Sequence, residues 1–102
     1  MTKADILTIL KSDLDIATAS TSKDGLLNNL IDLAQAAITR EGITLSQELT
    51  VEEGMLVEMY AAYLFRRRKY TETVANGSVT FPRNLRYQLN NMLLQQKAAQ
   101  DE

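Results

Sequence analysis

The side chains that could perform chemistry in this sequence are carboxylates and arginines, because the chain contains neither cysteine nor histidine. That composition excludes thiolate nucleophiles, imidazole bases and the usual zinc sites. Four scattered glycines exclude a glycine-rich phosphate loop. Asp13 and Asp15 are two residues apart, which directs them to different sides of a helix. Adjacent Glu52 and Glu53 lie early in a predicted helix, where carboxylates favour the helix dipole. We therefore expect a protein that is not an enzyme and binds no cofactor or metal.

A run of four basic residues is the densest charge in the chain: Arg66, Arg67, Arg68 and Lys69. The run could contact nucleic-acid phosphates, or it could complement the C-terminus of a helix, where cations are favoured. The net charge of −2 and the pI of about 5.1 argue against a sequence-specific DNA-binding protein. Close approach to DNA within a larger assembly stays open.

Charge is distributed unevenly along the sequence. Residues 1–58 hold four basic and ten acidic residues, whereas residues 59–97 hold seven basic residues and one acidic residue. Identical subunits with two oppositely charged faces can pack head to tail and close into rings, although both faces could simply be solvated. The candidate partners of the basic run on an adjacent subunit are Glu41, Glu48, Glu52 and Glu53.

The composition is that of one globular domain spanning residues 1–102. Hydrophobic residues make up 45% of the chain and charged residues 24%, which suffices for one modest core. No apolar run approaches the roughly 20 residues of a membrane span, so we expect no membrane contact.

Apolar residues at helical spacing predict four helices. The first covers Ala4 to Leu14 and starts near Thr2, and the second covers Lys23 to Arg40 with Ser22 as its N-cap. Thr50 caps the third helix, where Glu53 could complete a capping box, and this helix ends at the basic run and Tyr70. The fourth starts with Pro82 in its first position and runs to about Ala98, with residues 98–102 as a frayed tail. The predicted core includes Leu30, Ile31, Met59, Tyr63 and Leu89, with Val51 and Met55 on the apolar stripe of the third helix.

The segment between the third and fourth helices has a different pattern. Residues 71–80 carry β-branched side chains, including Val74 and Val79, on both sides of Asn76-Gly77. Asn-Gly is the preferred two-residue hairpin turn, so the segment predicts a short β-hairpin. A lone hairpin is marginal in water, so we expect it to be mobile until a partner orders it. The predicted fold is therefore mainly α: a small four-helix bundle with a short β-hairpin or long loop between the third and fourth helices.

The start of the last helix resembles a known signature. Residues 81–91 read Phe-Pro-Arg-Asn-Leu-Arg-Tyr-Gln-Leu-Asn-Asn, and the matching positions are Pro82, Arg83, Asn84, Leu85, Arg86, Tyr87, Asn90 and Asn91. This run, preceded by residues 57–68 and the same order of helices, resembles the small head–tail connector proteins of tailed bacteriophages. These are also called adaptor, head-completion or DNA-packaging proteins.

The resemblance implies a structural role in the virion. Connector proteins form a ring beneath the portal protein at the head–tail junction, extend the DNA channel and help to retain packaged DNA. They also present the docking surface for tail or stopper proteins. The resemblance thus implies a protein made in the bacterial cytoplasm, monomeric until it assembles, with DNA passing through its ring without sequence-specific binding. The hairpin and the basic run are then candidates for the channel or the subunit interface.

A second interpretation of the basic run also stands. The chain could be a small helical regulator or nucleic-acid-binding module that uses Arg66 to Lys69. Such a protein should bind duplex DNA in isolation, with an affinity that falls steeply as salt rises.

Overall fold

Four helices make up the computed structural model, which describes residues 1–73 and 81–100. They are α1 (Lys3–Asp13), α2 (Asp24–Arg40), α3 (Val51–Thr73) and α4 (Arg83–Gln100). The prediction of a mainly α, four-helix arrangement is confirmed. The predicted hairpin is wrong at its first three positions, because residues 71–73 belong to α3. The rest of it, residues 74–80, lies outside the described part of the chain.

The helix α1 begins as predicted. Thr2 and Asp5 form a reciprocal capping box, in which each side chain accepts a hydrogen bond from the other's backbone amide. Ile6 and Leu10, on the face that α1 turns to its neighbours, are fully buried. Capping and burial together fix both the start of α1 and its orientation.

The connection to α2 is organised by a buried lysine rather than by the predicted serine cap. Lys23 is the residue before α2 and makes no side-chain capping bond, so the assignment of Ser22 as N-cap is wrong. Lys11, only 4% exposed, donates to the carbonyl oxygens of Thr18 and Ser20 and forms an ion pair with Asp24 in the first turn of α2. A buried ammonium group requires such partners, so Lys11 determines the path of this loop.

The helix α3 begins with the predicted capping box. The Thr50 hydroxyl accepts from the Glu53 amide at 3.1 Å, and the Glu53 carboxylate accepts from the Thr50 amide at 2.9 Å. Glu53 also accepts from the backbone and hydroxyl of Ser46. Burial acts to raise the pKa of Glu53, but these hydrogen bonds outweigh it and the pKa is lowered. At its other end α3 extends to Thr73, three residues beyond the predicted end at Tyr70.

The core surrounds α3, which packs against each of the other three helices. Leu30, Ile31 and Leu89 are buried as predicted, whereas Met59 and Tyr63 are only partly buried. Val51, at 67% exposure, and Met55 lie on the surface instead of in the core. Among the described residues, the buried hydrophobic side chains of α3 are Leu56, Val57, Ala61, Ala62 and Phe65. The stripe assigned to α3 was wrong in part because this helix is apolar on most sides, and only its neighbours decide which side is covered.

The helix α4 returns along the first half of α3. Leu85 and Leu89 enter the core, and Gln96 exchanges hydrogen bonds with the backbone of Thr44 in the α2–α3 connection. Pro82 immediately precedes the helix instead of occupying its first position. The helix continues to Gln100, two residues beyond the predicted end at about Ala98. Residues 101–102 lie outside the described part.

Candidate assembly interface

The basic run lies within α3 and not at its end. Arg66, Arg67 and Arg68 are exposed, and α3 continues to Thr73 with no basic residue in its last turn. The helix dipole acts mainly within the last turn. The interpretation that the run complements the C-terminus of a helix is therefore wrong. Consecutive helical residues point about 100° apart, so no more than two of the three arginines can face one partner surface.

Arg66 is already engaged within the chain. Its Nη2 donates to Asp13 Oδ1, at the end of α1, at 3.0 Å. Glu58, two turns earlier on α3 and only 3% exposed, forms a side-chain hydrogen bond with the same Asp13. Arg66, Asp13 and Glu58 thus form one polar cluster between α1 and α3.

The two carboxyl groups of this cluster have pKa values shifted in opposite directions. Burial raises the pKa of Glu58 to about 8, and the hydrogen bond and negative charge of Asp13 act in the same direction. The pKa of Asp13 is lowered, first by its hydrogen bond with Glu58 and then by Arg66. At neutral pH a protonated Glu58 donates to an ionised Asp13, whose charge Arg66 balances. Sequence reasoning missed Glu58, although a lone carboxyl inside the apolar stretch 54–65 was a usable signal.

Two of the four candidate acidic partners have roles inside the chain. Arg86 Nη1 donates to Glu41 Oε2 at 2.6 Å, and Glu53 is buried in the capping box of α3. Glu48, in the α2–α3 connection, and Glu52, in the first turn of α3, are exposed. These two carboxylates are the ones that the fold presents for contact with another molecule.

The signature at the start of α4 divides into structural and surface positions. Leu85 is buried, and Arg86 lies 4.8 Å from the ring centroid of Phe81 while it bonds to Glu41. Asn84 accepts a hydrogen bond from Gln88, one turn later. The remaining signature residues are exposed: Pro82, Arg83, Tyr87, Asn90 and Asn91. Folding thus accounts for only part of the signature and leaves a polar face with one large aromatic ring.

Three aromatic rings join α4 to α3. Tyr60, Tyr63 and Phe81 contact one another edge to face, with centroids 4.9–6.0 Å apart. This geometry is favourable for aromatic pairs. The cluster fixes where α4 begins against α3, and partial burial raises the pKa of Tyr60.

A groove of about 300 Å³ separates the first half of α3 from α4. Among the described residues, Glu52 is its one charged lining residue, and the apolar part includes Val51, Met55 and Met92. Three side-chain amides complete it: Gln88, Asn91 and Gln95. The groove was not predicted because Val51 and Met55 were assigned to an apolar stripe of α3 that was expected to contact its neighbours.

The remaining candidate residues cannot be placed. Val74, Asn76, Gly77 and Val79 lie outside the described residues, and the side chain of Lys69 is likewise not described. Within residues 1–73 and 81–100, no three potential metal ligands cluster together. No helix in that part of the chain is long and apolar enough to cross a membrane.

The chain was compared with protein-family models, with curated proteins and with solved structures, and none of the three comparisons found a match.

Proposed function

We propose that this protein is a structural virion component that forms a ring under the capsid portal of a tailed bacteriophage. In this role it extends the DNA channel, helps to retain packaged DNA and provides the docking surface for tail or stopper proteins. It catalyses no reaction. The signature at residues 81–91 suggests this role, and the charge distribution on α3 is the structural observation that supports it.

Charges of opposite sign are separated along one helix, α3. Glu52 is exposed in the first turn of α3, and Arg67 and Arg68 are exposed 15 and 16 residues later. At 1.5 Å per residue, the opposite charges are about 22–24 Å apart. A subunit with opposite charges at two ends favours contact between the acidic end of one copy and the basic end of the next. A ring repeats one such contact around its circumference.

Electron microscopy of the protein mixed with a portal protein from the same virus tests the proposal. The expected result is a ring of extra density on one end of the portal, with the channel continuous through both rings. A portal that stays bare at concentrations well above those in an infected cell would contradict the proposed function.

The alternative function is a small nucleic-acid-binding module, and the exposure of Arg66 to Arg68 favours it. Binding of duplex DNA by the isolated protein separates the two functions. A nucleic-acid-binding module should bind measurably and lose affinity linearly in log–log plots against salt. A connector should show little binding to free duplex while it associates with the portal.

A further inference from the structure

The outward side of α4 carries a regular row of exposed residues, which we call the α4 stripe. It consists of Arg83, Tyr87, Asn90, Leu94 and Lys97. These residues follow one another at alternating spacings of four and three, and at about 100° per residue they lie within about 80° of one another. The buried Leu85 and Leu89 lie on the other side of the helix. Alternating spacings of three and four are those by which one helix contacts another along its length.

Two large side chains of the α4 stripe are left uncovered by the fold. Tyr87 is 67% exposed and Leu94 is 64% exposed. They lie two turns apart along the helix, so they point the same way. A helix at the surface of a soluble protein normally turns its polar side outward, whereas α4 has apolar residues on both sides. The outward pair therefore marks a contact surface that folding does not use.

An open cavity of about 400 Å³ adjoins the first half of the α4 stripe. It is lined by Phe81, Arg83, Arg86, Tyr87 and Asn90. Glu41 engages Arg86, whereas Arg83 makes no ion pair or hydrogen bond with any described residue. Tyrosine and arginine are enriched among the residues that dominate protein–protein binding. A partner side chain that enters the cavity meets the Tyr87 ring and an uncommitted guanidinium group.

The charges of the α4 stripe have one sign only. The sequence contains no acidic residue from Arg83 to Gln100. Lys97, like Arg83, makes no ion pair or hydrogen bond within the described part of the chain. The two cations lie about 21 Å apart along the helix axis. A partner with complementary charge therefore carries carboxylates at both ends of its contact surface.

A second copy of this chain does not supply that partner. If two α4 stripes paired with each other, Arg83 would lie opposite Arg83 or Lys97 in either orientation, which is unfavourable. The exposed acidic and apolar stretch of α3, from Val51 to Met55, spans little more than one turn and cannot meet both cations. Leu33 on α2 is flanked by Asp32, whose charge Lys3 already balances.

Nucleic acid uses less of the α4 stripe than a helix does. Phosphate contacts are made by cations and hydrogen-bond donors, and Leu94 offers neither. Tyr87 and Leu94 separate the two cations, so a strand that touched both would have to cover two large, mainly apolar side chains. A helix with apolar residues at the matching positions contacts the whole stripe.

We propose that the α4 stripe binds an amphipathic helix of another protein. The contacting side of that helix is apolar at alternating spacings of three and four residues and carries carboxylates at both ends. Asn90, in the middle of the stripe, fixes the register of the two helices because it requires a polar partner. In the virion the inference rests on the proposed function, for which it specifies the chemistry of a docking partner.

Binding of a designed peptide tests the proposal. The probe is a fluorescently labelled helix of about three heptads, with leucine and one central asparagine at its contacting positions and glutamate beside them. The glutamates of two such peptides repel each other, which disfavours self-association of the probe. A matched peptide has lysine in place of every glutamate. Fluorescence anisotropy with the whole chain should show saturable binding of the acidic peptide and binding of the basic peptide that is weaker by about tenfold or more.

Matched variants at exposed positions locate the binding surface. Leu94→Ala should weaken binding of the acidic peptide severalfold, whereas Leu33→Ala, at a similarly exposed leucine on α2, should leave it unchanged. Arg83→Glu with Lys97→Glu should reverse the preference, so that the basic peptide binds more tightly. Arg40→Glu, at an exposed arginine at the end of α2, is the charge control and should retain the preference for the acidic peptide.

Four results would overturn the proposal. The first is equal affinity for the two peptides, or no binding of the acidic one. The second is an equal loss of affinity in Leu94→Ala and Leu33→Ala, which would place the contact elsewhere. The third is self-association of the chain that Leu94→Ala abolishes, which would identify a second copy as the occupant. The fourth is displacement of the acidic peptide by DNA from wild type but not from Arg83→Glu with Lys97→Glu, which would identify nucleic acid.

Association with the portal separates this inference from the proposed function. Peptide binding by a chain that leaves the portal bare would keep the α4 stripe as a docking site and exclude the connector function. Rings formed on the portal by a chain that fails to bind the acidic peptide would keep the connector function and exclude the docking site.

Discussion

Glu58 is the residue whose environment departs furthest from that of an ordinary surface carboxyl. It is buried on α3, Asp13 contacts it from α1, and its Oε1 has no hydrogen-bond partner among the described residues. Among the described residues, Arg66 is the cation that acts to lower its pKa, and Arg66 also forms an ion pair with Asp13. Protonation of Glu58 removes a buried negative charge and provides a donor for Asp13. The α1–α3 contact therefore depends on a proton.

The unfolding free energy should change with pH because Glu58 binds a proton in the folded protein. The ordinary pKa of Glu58 is 4.5 and the folded value is about 8, so between these pH values the folded protein holds a proton that the unfolded chain has released. The unfolding free energy should therefore fall as pH rises through this window, by at most about 1.4 kcal/mol per pH unit, and level off above it. Asp13, with its lowered pKa, contributes the opposite dependence only at more acidic pH.

The variant Glu58→Gln isolates this effect, because glutamine keeps a donor for Asp13 and does not titrate. Urea unfolding from pH 5 to 9 should show a flatter profile for the variant and greater stability than wild type near pH 8. With no histidine in the chain, no imidazole titration obscures this range. Glu52→Gln, at an exposed carboxyl, is the control and should retain the wild-type slope. An identical slope in Glu58→Gln would mean that Glu58 is ionised in the folded protein.

At the scale of single elements, the helices differ in what holds them in place. Lys11 and its three oxygen partners hold the α1–α2 connection and the first turn of α2, whereas buried apolar side chains from all four helices share one core. α4 is attached to α3 through the aromatic cluster and to the α2–α3 connection through Gln96 and Arg86. Polar and apolar contacts therefore both hold the helices together, and matched substitutions can separate their contributions.

Two leucines on α2 provide a matched pair for the apolar contact. Leu30 is 6% exposed in the core and Leu33 is 54% exposed on the outer face. Leu30→Ala should lower the unfolding free energy by about 2–5 kcal/mol, because it leaves a cavity. Leu33→Ala should change it by about 0.5 kcal/mol or less. Equal losses in chemical denaturation would show that α2 packs through a different face.

Two lysines on α1 provide a matched pair for the polar contact. Lys11→Met removes the buried ammonium group and leaves Asp24 without its cation, so the unfolding free energy should fall by about 2 kcal/mol or more. Lys3→Met breaks the exposed pair with Asp32 and should cost about 0–1 kcal/mol. If the two variants unfold at the same denaturant concentration, the lysine network does not hold the loop.

At the scale of the whole molecule, the sequence predicted the elements better than their contacts. Capping residues and apolar spacing act locally, so Thr2, Thr50 and Glu53 were sufficient to place the starts of α1 and α3. The environment of Glu58 and the exposure of Val51 depend on which helices surround α3, and no local pattern encodes that choice. For the candidate interface, the exposed arginines and Glu48 and Glu52 were named from sequence, whereas the groove required the relative position of α3 and α4.

The segment 74–79 carries the remaining prediction at this scale. The sequence predicts that it is mobile in the free subunit and becomes ordered in the ring, where it faces the channel or a neighbour. Hydrogen exchange should then be fast in this segment for the isolated protein and slower after assembly on the portal. Slow exchange that does not change on assembly would contradict the prediction.

The ring cluster between α3 and α4 also has an optical consequence. The chain has no tryptophan and four tyrosines, so tyrosine dominates its near-ultraviolet absorbance. Tyr60 and Tyr63 are packed against Phe81 at the start of α4, while Tyr87 is largely exposed. Near-ultraviolet circular dichroism arises from aromatic rings held in fixed, asymmetric surroundings. The near-ultraviolet circular dichroism of the unlabelled protein therefore reports whether α4 is packed against α3.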